Sequence, residues 1–289
     1  MSMRPVSLEG GPATTNALIK NRYIIFHFIM IWITALWPLW SIITHIPAYY
    51  RNAVKFVLML PLHALAWYFE WLLVAIFVTK AFLIVVNIIH KPKEGYFPRD
   101  PKNKDYQFWC IRSVIKKFAL YICHHFPLPW IDILAFKLFG VKAPWQTGLF
   151  DAWVDTEFIE IGENTIIGQG SLTMSSMITR DYLIIQKITI GDNCVIGGYS
   201  VLSPGSKVGN NVVLGTHSAT SVGQELESNW VYLGVPARKY KKNEYQSDEI
   251  SKDEKKRTTK KYIKQYLTID DLEEIERKEK LMQKGDEAD

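Results

Sequence analysis

Apolar residues recur along this chain with three different spacings, and each predicts a different architecture. The first is continuous: residues 23–90 hold only Arg51, Lys55, Glu70 and Lys80 as formal charges. Tyr23 to Ile46 is a 24-residue apolar run, long enough to cross a bilayer with some tilt. Trp32, Trp37 and Trp40 suit interfaces or helix contacts, and Pro38 predicts a kink. Residues 47–55 (PAYYRNAVK) read as a turn. Phe56 to His90 is too long for one straight crossing at about 1.5 Å per residue, so it predicts one crossing plus an interfacial or re-entrant turn. Glu70 is costly in lipid and is read as interfacial in preference to functional.

The second spacing is helical. Between Asp105 and Phe126 apolar positions alternate with Arg112, Lys116 and Lys117, as in a helix lying on a membrane surface with its cations toward anionic headgroups. Trp130 to Phe139 is a second short apolar helix, so residues 91–147 form an interfacial helical region. His124 and His125 fall at a helix end, where neighbours point about 100° apart and suit capping or an interface better than a metal.

The third spacing is six. IGENTI, IGQGSL and TMSSMI run from Ile161, and after an interruption IGDNCV, IGGYSV, LSPGSK, VGNNVV, LGTHSA and TSVGQE run from Ile190. Of these nine hexads seven begin with Ile, Leu or Val, six carry Gly second, and seven place a small residue fifth. Neither the 3.6 period of a helix nor the alternation of an ordinary strand puts aliphatics at every sixth position. A coil of short strands does, with the first and fifth residues facing a narrow interior and Gly at a strained or crowded corner.

Composition divides the chain in the same places. Residues 241–289 carry 13 Lys/Arg against 14 Asp/Glu with few apolar residues and read as a solvated helical or disordered tail. The net charge of +5 comes mainly from the flanks of the apolar block and does not point to nucleic acid. Arg4, Lys20 and Arg22 precede the first crossing, and Lys91, Lys93, Arg99, Lys102, Lys104 and Arg112 follow the second. An even number of crossings puts both flanks on the cytoplasmic side. No cleavage site follows a short apolar run. The three cysteines, Cys110, Cys123 and Cys194, have no C-x-x-C spacing, which argues against zinc or a disulfide framework and fits a reducing compartment.

IGDNCVIGGYSVLSPGSKVGNNVVLG, closed by YLGVPARKY, resembles the hexapeptide-repeat acyltransferases, whose fold is a left-handed parallel β-helix of three hexads per coil. The resemblance covers residues 148–240 and implies a homotrimer and a coenzyme A or pantetheine thioester, carried by CoA or a carrier protein, as co-substrate. The order of apolar segment, GYFPRD turn, Trp-containing helix, FKLFGVK, DTEFIEIGENTIIGQGS and NWVYLGVPA is also similar to the membrane-bound terminal domain of polylysine-type peptide synthetases. That family is implicated in condensing an amine with an acyl or aminoacyl thioester. This chain has one repeat block and neither an adenylation nor a carrier domain.

The interruption (ITRDYLIIQK) leaves the coil where many relatives carry a catalytic His, and it contains none. His217 is the only His after His125. It is fourth in LGTHSA, eighteen residues after Tyr199 and thirty-six after Asp181, so these three are candidates for orienting an acceptor and taking its proton. The alternative is that outward positions tolerate any polar residue, and Asp151, Asp155 and Glu157 compete as acid or base. The resemblance implies that the thioester meets backbone amides near Ser200 and Ser218, and the nucleotide end meets Gly234, Pro236, Ala237, Arg238 and Lys239. Together these features predict an integral membrane acyltransferase acting on an amphiphilic amine or hydroxyl at the cytoplasmic face. Two rivals are a non-catalytic trimeric scaffold and a γ-carbonic-anhydrase-like enzyme, which needs three His ligands; no metal site is expected.

Overall fold

The computed structural model describes residues 13–14, 21–49, 53–128, 130–149, 151–179 and 181–243. Of the polar N-terminus expected at 1–22, residues 1–12 and 15–20 lie outside these residues, as does the tail expected at 241–289 from 244 onward. Helix α1 (Asn21–Tyr49) and helix α2 (Ala53–Ile89) are both long and apolar enough to cross a membrane. Of the turn expected at 47–55, residues 47–49 belong to α1 and 53–55 to α2, and residues 50–52 lie outside the described residues. Helix α2 runs unbroken for 37 residues through Pro61, which corrects the expected re-entrant turn. One proline removes one hydrogen bond, whereas a break removes several that lipid cannot replace. Against α1, the indole of Trp71 donates to Thr34 at 3.1 Å and Ser41 donates to Glu70 at 3.3 Å. Glu70 is thus engaged between the two helices.

After α2, strand β2 (Gly95–Pro98) leads to helix α3 (Lys104–His124). Asn103 caps α3, its side-chain oxygen accepting from the Tyr106 amide at 3.0 Å. Helix α3 is not the surface helix its basic stripe suggested, because Arg112 is 2 % exposed and Lys116 8 %. Both amphipathic faces are used: one packs on α2, where Tyr68 donates to the Ile122 carbonyl at 3.3 Å, and the other meets Glu157. Helix α4 (Trp130–Phe139) follows and packs on α3.

The chain then visits three parallel sheets in rotation. Strands β3 (Trp153–Val154), β6 (Leu172–Thr173) and β11 (Val201–Leu202) form the first. Strands β4 (Ile159–Ile161), β9 (Ile188–Ile190), β12 (Lys207–Val208) and β14 (Glu225–Leu226) form the second. Strands β5 (Ile166–Ile167), β10 (Val195–Ile196), β13 (Val213–Leu214) and β15 (Trp230–Leu233) form the third, closed by antiparallel β16 (Arg238–Lys242). Val195 pairs with Val213 and Val213 with Val231, the expected step of eighteen. Lys142 pairs with Glu160 and Gly148 with Ile166, so the coil begins before residue 148.

The inward positions are those the hexads predict. First residues such as Ile161, Ile190, Leu202 and Leu214 are buried, as are the fifth residues Thr165, Ser171, Cys194, Ser200, Ser206, Val212 and Ser218. The buried hydroxyls are spent on backbone: Ser200 donates to the Gly215 carbonyl at 2.7 Å. The second-position glycines are crowded and not conformationally special. A Cβ on Gly197 would lie 2.5 Å from the Thr216 nitrogen of the next coil. The left-handed backbone conformation belongs instead to the fourth residue, at φ of 52–57° for Asn164, Asn193, Tyr199, Asn211 and His217.

The interruption is a β-hairpin, β7 (Ser176–Thr179) and β8 (Tyr182–Ile185). It pairs with β2 on one side and with β1 (Ala13–Thr14) on the other in a four-stranded antiparallel sheet. Across it the step lengthens, with Ile166 pairing to Val195.

Candidate active site

The left-handed corners distinguish one edge of the coil from another. Asn164, Asn193, Asn211 and Asn229 occupy one edge, and their amides bond in pairs, Asn164 to Asn193 at 2.8 Å and Asn211 to Asn229 at 2.9 Å. Asparagine is the expected residue there, since its short side chain tolerates positive φ. A second edge carries Asp151, Gly170, Tyr199 and His217 under the same constraint. Bulky Tyr and His at positive φ are costly, and strained positions of this kind cluster at functional sites. The two rings stack at 5.4 Å with 24° between planes. Tyr199 lies over Gly170, where a Cβ would meet its ring at 2.6 Å.

At the foot of this edge a cavity of about 620 Å³ opens between α3, α4 and the first coil, with Asp151 and Gly170 in its wall. His124, in the last turn of α3, bonds through Nδ1 to Asp132 Oδ2 at 3.1 Å. Asp132 sits in the first turn of α4, so its carboxylate meets the favourable end of a helix dipole. Burial pushes the Asp132 carboxyl above its ordinary range, partly offset by His124. An ionised carboxylate only accepts, so Nδ1 carries the hydrogen and Nε2 presents its lone pair. Nε2 lies 3.8 Å from Asp151 Oδ1, and the His124 side chain is 49 % exposed. This is the orientation of a general base held by a carboxylate.

Deeper in the cavity the charges are paired. Glu157 Oε1 lies 2.6 Å from Lys116 Nζ and 3.0 Å from Arg112 Nε. Burial pulls the Glu157 carboxyl up, but the two cations outweigh it and hold its pKa below the ordinary value. Asp155 accepts from the Ser176 amide at 3.0 Å and hydroxyl at 2.8 Å. Burial pushes the Asp155 carboxyl up, and these bonds only partly offset it.

The expected residues divide along these lines. Tyr199 and His217 do stack. Asp181 does not join them: it lies in the β7–β8 turn, its carbonyl accepting from the Arg99 amide at 2.6 Å, and Gly170 takes the place beneath Tyr199. The amides flanking Ser200 and Ser218 are committed to neighbouring coils, Val201 to the Ser218 carbonyl at 2.8 Å and Ala219 to the Gly234 carbonyl at 3.0 Å. Gly234 follows His217 along the same edge, its amide donating to Ser218 at 3.0 Å. Ala237 is buried beside Pro236, and its amide donates to Ala219 at 2.7 Å. Arg238 is exposed, whereas Lys239 pairs with Glu227 at 2.5 Å and lies over Trp230. His125 meets the His124 ring edge-on at 5.7 Å and bonds to the Tyr121 carbonyl at 2.8 Å. Among the described residues no group of three or more His, Cys, Asp or Glu is gathered to hold a metal ion.

Residues 187–219 match the family model for the bacterial transferase hexapeptide, six repeats. No curated protein matches the chain. Among solved structures it is similar to an N-acyltransferase from Bacillus cereus in complex with a dTDP-amino sugar and coenzyme A, at 19% identity and a TM-score of 0.27 over 29% of this chain. The chain spans 52% of that protein's length. A maltose O-acetyltransferase from Clostridium difficile 630 gives 20% identity and 0.33, over 39% of this chain and 75% of that one. A galactoside acetyltransferase in complex with coenzyme A gives 20% and 0.35, over 47% and 84%.

Proposed function

We propose that this protein is a membrane-anchored acyltransferase whose coil is a left-handed β-helix on the cytoplasmic face. It moves an acyl or aminoacyl group from a CoA or carrier-protein thioester to an amine or hydroxyl on an amphiphilic acceptor. The hexapeptide match over residues 187–219 supports the transferase class, and the apolar helices α1 and α2 support the anchor. The likeness of the chain's segment order to polylysine-type synthetase terminal domains supports an amine among the acceptors. The observation that carries the reading is the His124–Asp132 pair, which lines a cavity at the foot of the Tyr199–His217 edge with Nε2 beside Asp151.

The acceptor's lone pair adds to the thioester carbonyl carbon and the C–S bond breaks. The acceptor's proton passes to His124 Nε2 and then to the departing thiolate. The pantetheine arm runs up the edge past Tyr199 and His217, and the nucleotide end meets the Gly234–Ala237 turn, Arg238 and Lys239. As in the soluble hexapeptide enzymes, a homotrimer would flank this edge with a second copy. His124 is preferred to His217 as base because a carboxylate orients it.

The test is acyl transfer by the full chain in nanodiscs with acetyl-CoA and a panel of amine and hydroxyl amphiphiles. His124→Ala lowers turnover by roughly 10² to 10⁴, the usual contribution of a positioned base, and leaves CoA affinity intact. Full turnover in that variant with collapse in His217→Ala moves the base up the edge. Wild-type protein that neither binds CoA nor hydrolyses thioesters overturns the enzyme reading in favour of a scaffold.

A further inference from the structure

Helix α4 carries apolar residues around its circumference, with Asp132 and Lys137 its only polar side chains. Ile131, Ala135, Phe136 and Phe139 are buried, while Trp130 is 60 % and Leu138 40 % exposed, with Ile133 and Leu134 between these extremes. A helix hydrophobic all round belongs in a core or in lipid. At ten residues, about 15 Å long, α4 cannot cross a bilayer. Trp145 is 64 % exposed, and the Lys137 ammonium lies 4.3 Å from its ring centroid while donating to the Ala143 carbonyl at 2.5 Å. An indole fixed beside a lysine is the pairing that settles at a membrane–water interface.

Lys80 of α2 supplies the position. Its ammonium donates to the Leu138 carbonyl at 2.5 Å, pinning the C-terminal end of α4 to α2. Phe77 and Ile84, three and four residues either side of Lys80, share its face, and they are 74 % and 51 % exposed. The outward apolar surface of α2 therefore continues into that of α4. On its other side α4 lends Asp132 and Phe136 to the cavity.

We propose that α4 and Trp145 form a bilayer-docking surface, seated at the boundary of lipid headgroups and acyl chains, with α4 between lipid and cavity. The proposal rests on the membrane reading above. Its occupant is lipid: the patch is continuous with the face that α2 turns outward, and its cations sit at the margin, as anionic headgroups require. The result is a site fed from the membrane plane.

Nitroxide labels on Trp130→Cys, Trp145→Cys, Phe77→Cys and Ile166→Cys in the full chain, reconstituted in phosphatidylcholine–phosphatidylglycerol vesicles, test this by relaxation with oxygen and with a water-soluble nickel chelate. The native cysteines are buried and stay unlabelled. Labels at 130 and 145 are expected to favour oxygen over nickel several-fold relative to Ile166→Cys, at shallower depth than Phe77→Cys. Nickel access equal to that of Ile166→Cys, with Phe77→Cys in hydrocarbon, overturns the docking surface alone. Nickel access at Phe77→Cys removes the membrane reading itself. Spin–spin broadening at 130 and 145 that vanishes on dilution with unlabelled protein assigns the patch to a second copy and also overturns the proposal.

Discussion

Gly197→Ala adds one methyl group at the tightest kind of contact in the coil. The new Cβ would sit 2.5 Å from the Thr216 nitrogen, 2.7 Å from the Gly215 carbonyl carbon and 2.8 Å from the Leu214 oxygen. All three are backbone of the next coil and cannot swing aside. The Gly197 amide also donates to the Leu214 carbonyl at 2.7 Å, so making room stretches that bond. Losing it costs about 0.5–1.5 kcal/mol, and overpacking adds about 1–3 kcal/mol. The sum, about 1.5–4.5 kcal/mol, is roughly a 12- to 1,600-fold rise in local opening at 1.4 kcal/mol per decade. Cys194 reports that opening: its side chain is buried one hexad before Gly197, its thiol on the Gly209 carbonyl at 3.0 Å. Native-state alkylation followed by peptide mass spectrometry should give that increase at Cys194 and little at Cys123, whose thiol burial and Asp132 push up to about 12. Gly148→Ala, whose Cβ would meet only Ile166, its nearest atom a side-chain carbon at an ordinary 3.4 Å, should change little. Equal labelling of Cys194 in the two variants would refute the claim that backbone contact between coils dictates the glycines.

Deleting residues 202–219 should be tolerated better than deleting 202–207, because a step of eighteen restores the facing of every later strand; equal loss of folded protein in both would count against a three-sided coil. Asp155→Asn should gain stability over wild type as pH rises above about 4. The raised carboxyl is harmless while protonated and costs stability as pH climbs through its folded pKa; a pH-independent difference in denaturation midpoint would rule this out. Glu157 has the opposite sign, its contribution being present above the ordinary glutamate range and lost as pH falls through its lowered pKa. Tyr199→Asn should leave stability within about 1 kcal/mol, relief of positive φ offsetting the lost stack, and lower acyl transfer at least tenfold; a loss above about 2 kcal/mol would make the ring structural.

The interior of the coil was legible because the first and fifth hexad positions face inward whatever surrounds them. The role of Gly was half legible: crowding by the next coil is implied by a repeat, but that positive φ falls on the fourth residue is visible only in backbone angles. Helix α3 misled because a basic stripe looks the same toward headgroups as toward a buried carboxylate, and Glu157 lies 41 residues from Lys116. His124 and Asp132 are eight apart on separate helices, and only the turn between α3 and α4 brings them together. A helix-final His followed by an Asp in the next helix's first turn is the one signal that pointed there. Asp181 failed because counting eighteens across an insertion ignores its length.

The antiparallel sheet also sets an order of assembly. Gly95 pairs with Ile185, 90 positions further along the chain, while successive turns of the coil close loops of eighteen. Loop closure over the longer span costs more entropy and comes later, yet β2 leaves the ribosome first and waits beside the apolar helices. The hairpin's far side meets a segment made well before it, with the Glu94 carboxylate receiving the Lys187 amide at 2.9 Å. A fragment beginning after Pro98 would leave β8 with a bare four-residue edge, Tyr182–Ile185, an invitation to pair with strangers. The segment that follows the apolar helices thus also shields an edge of the repeat.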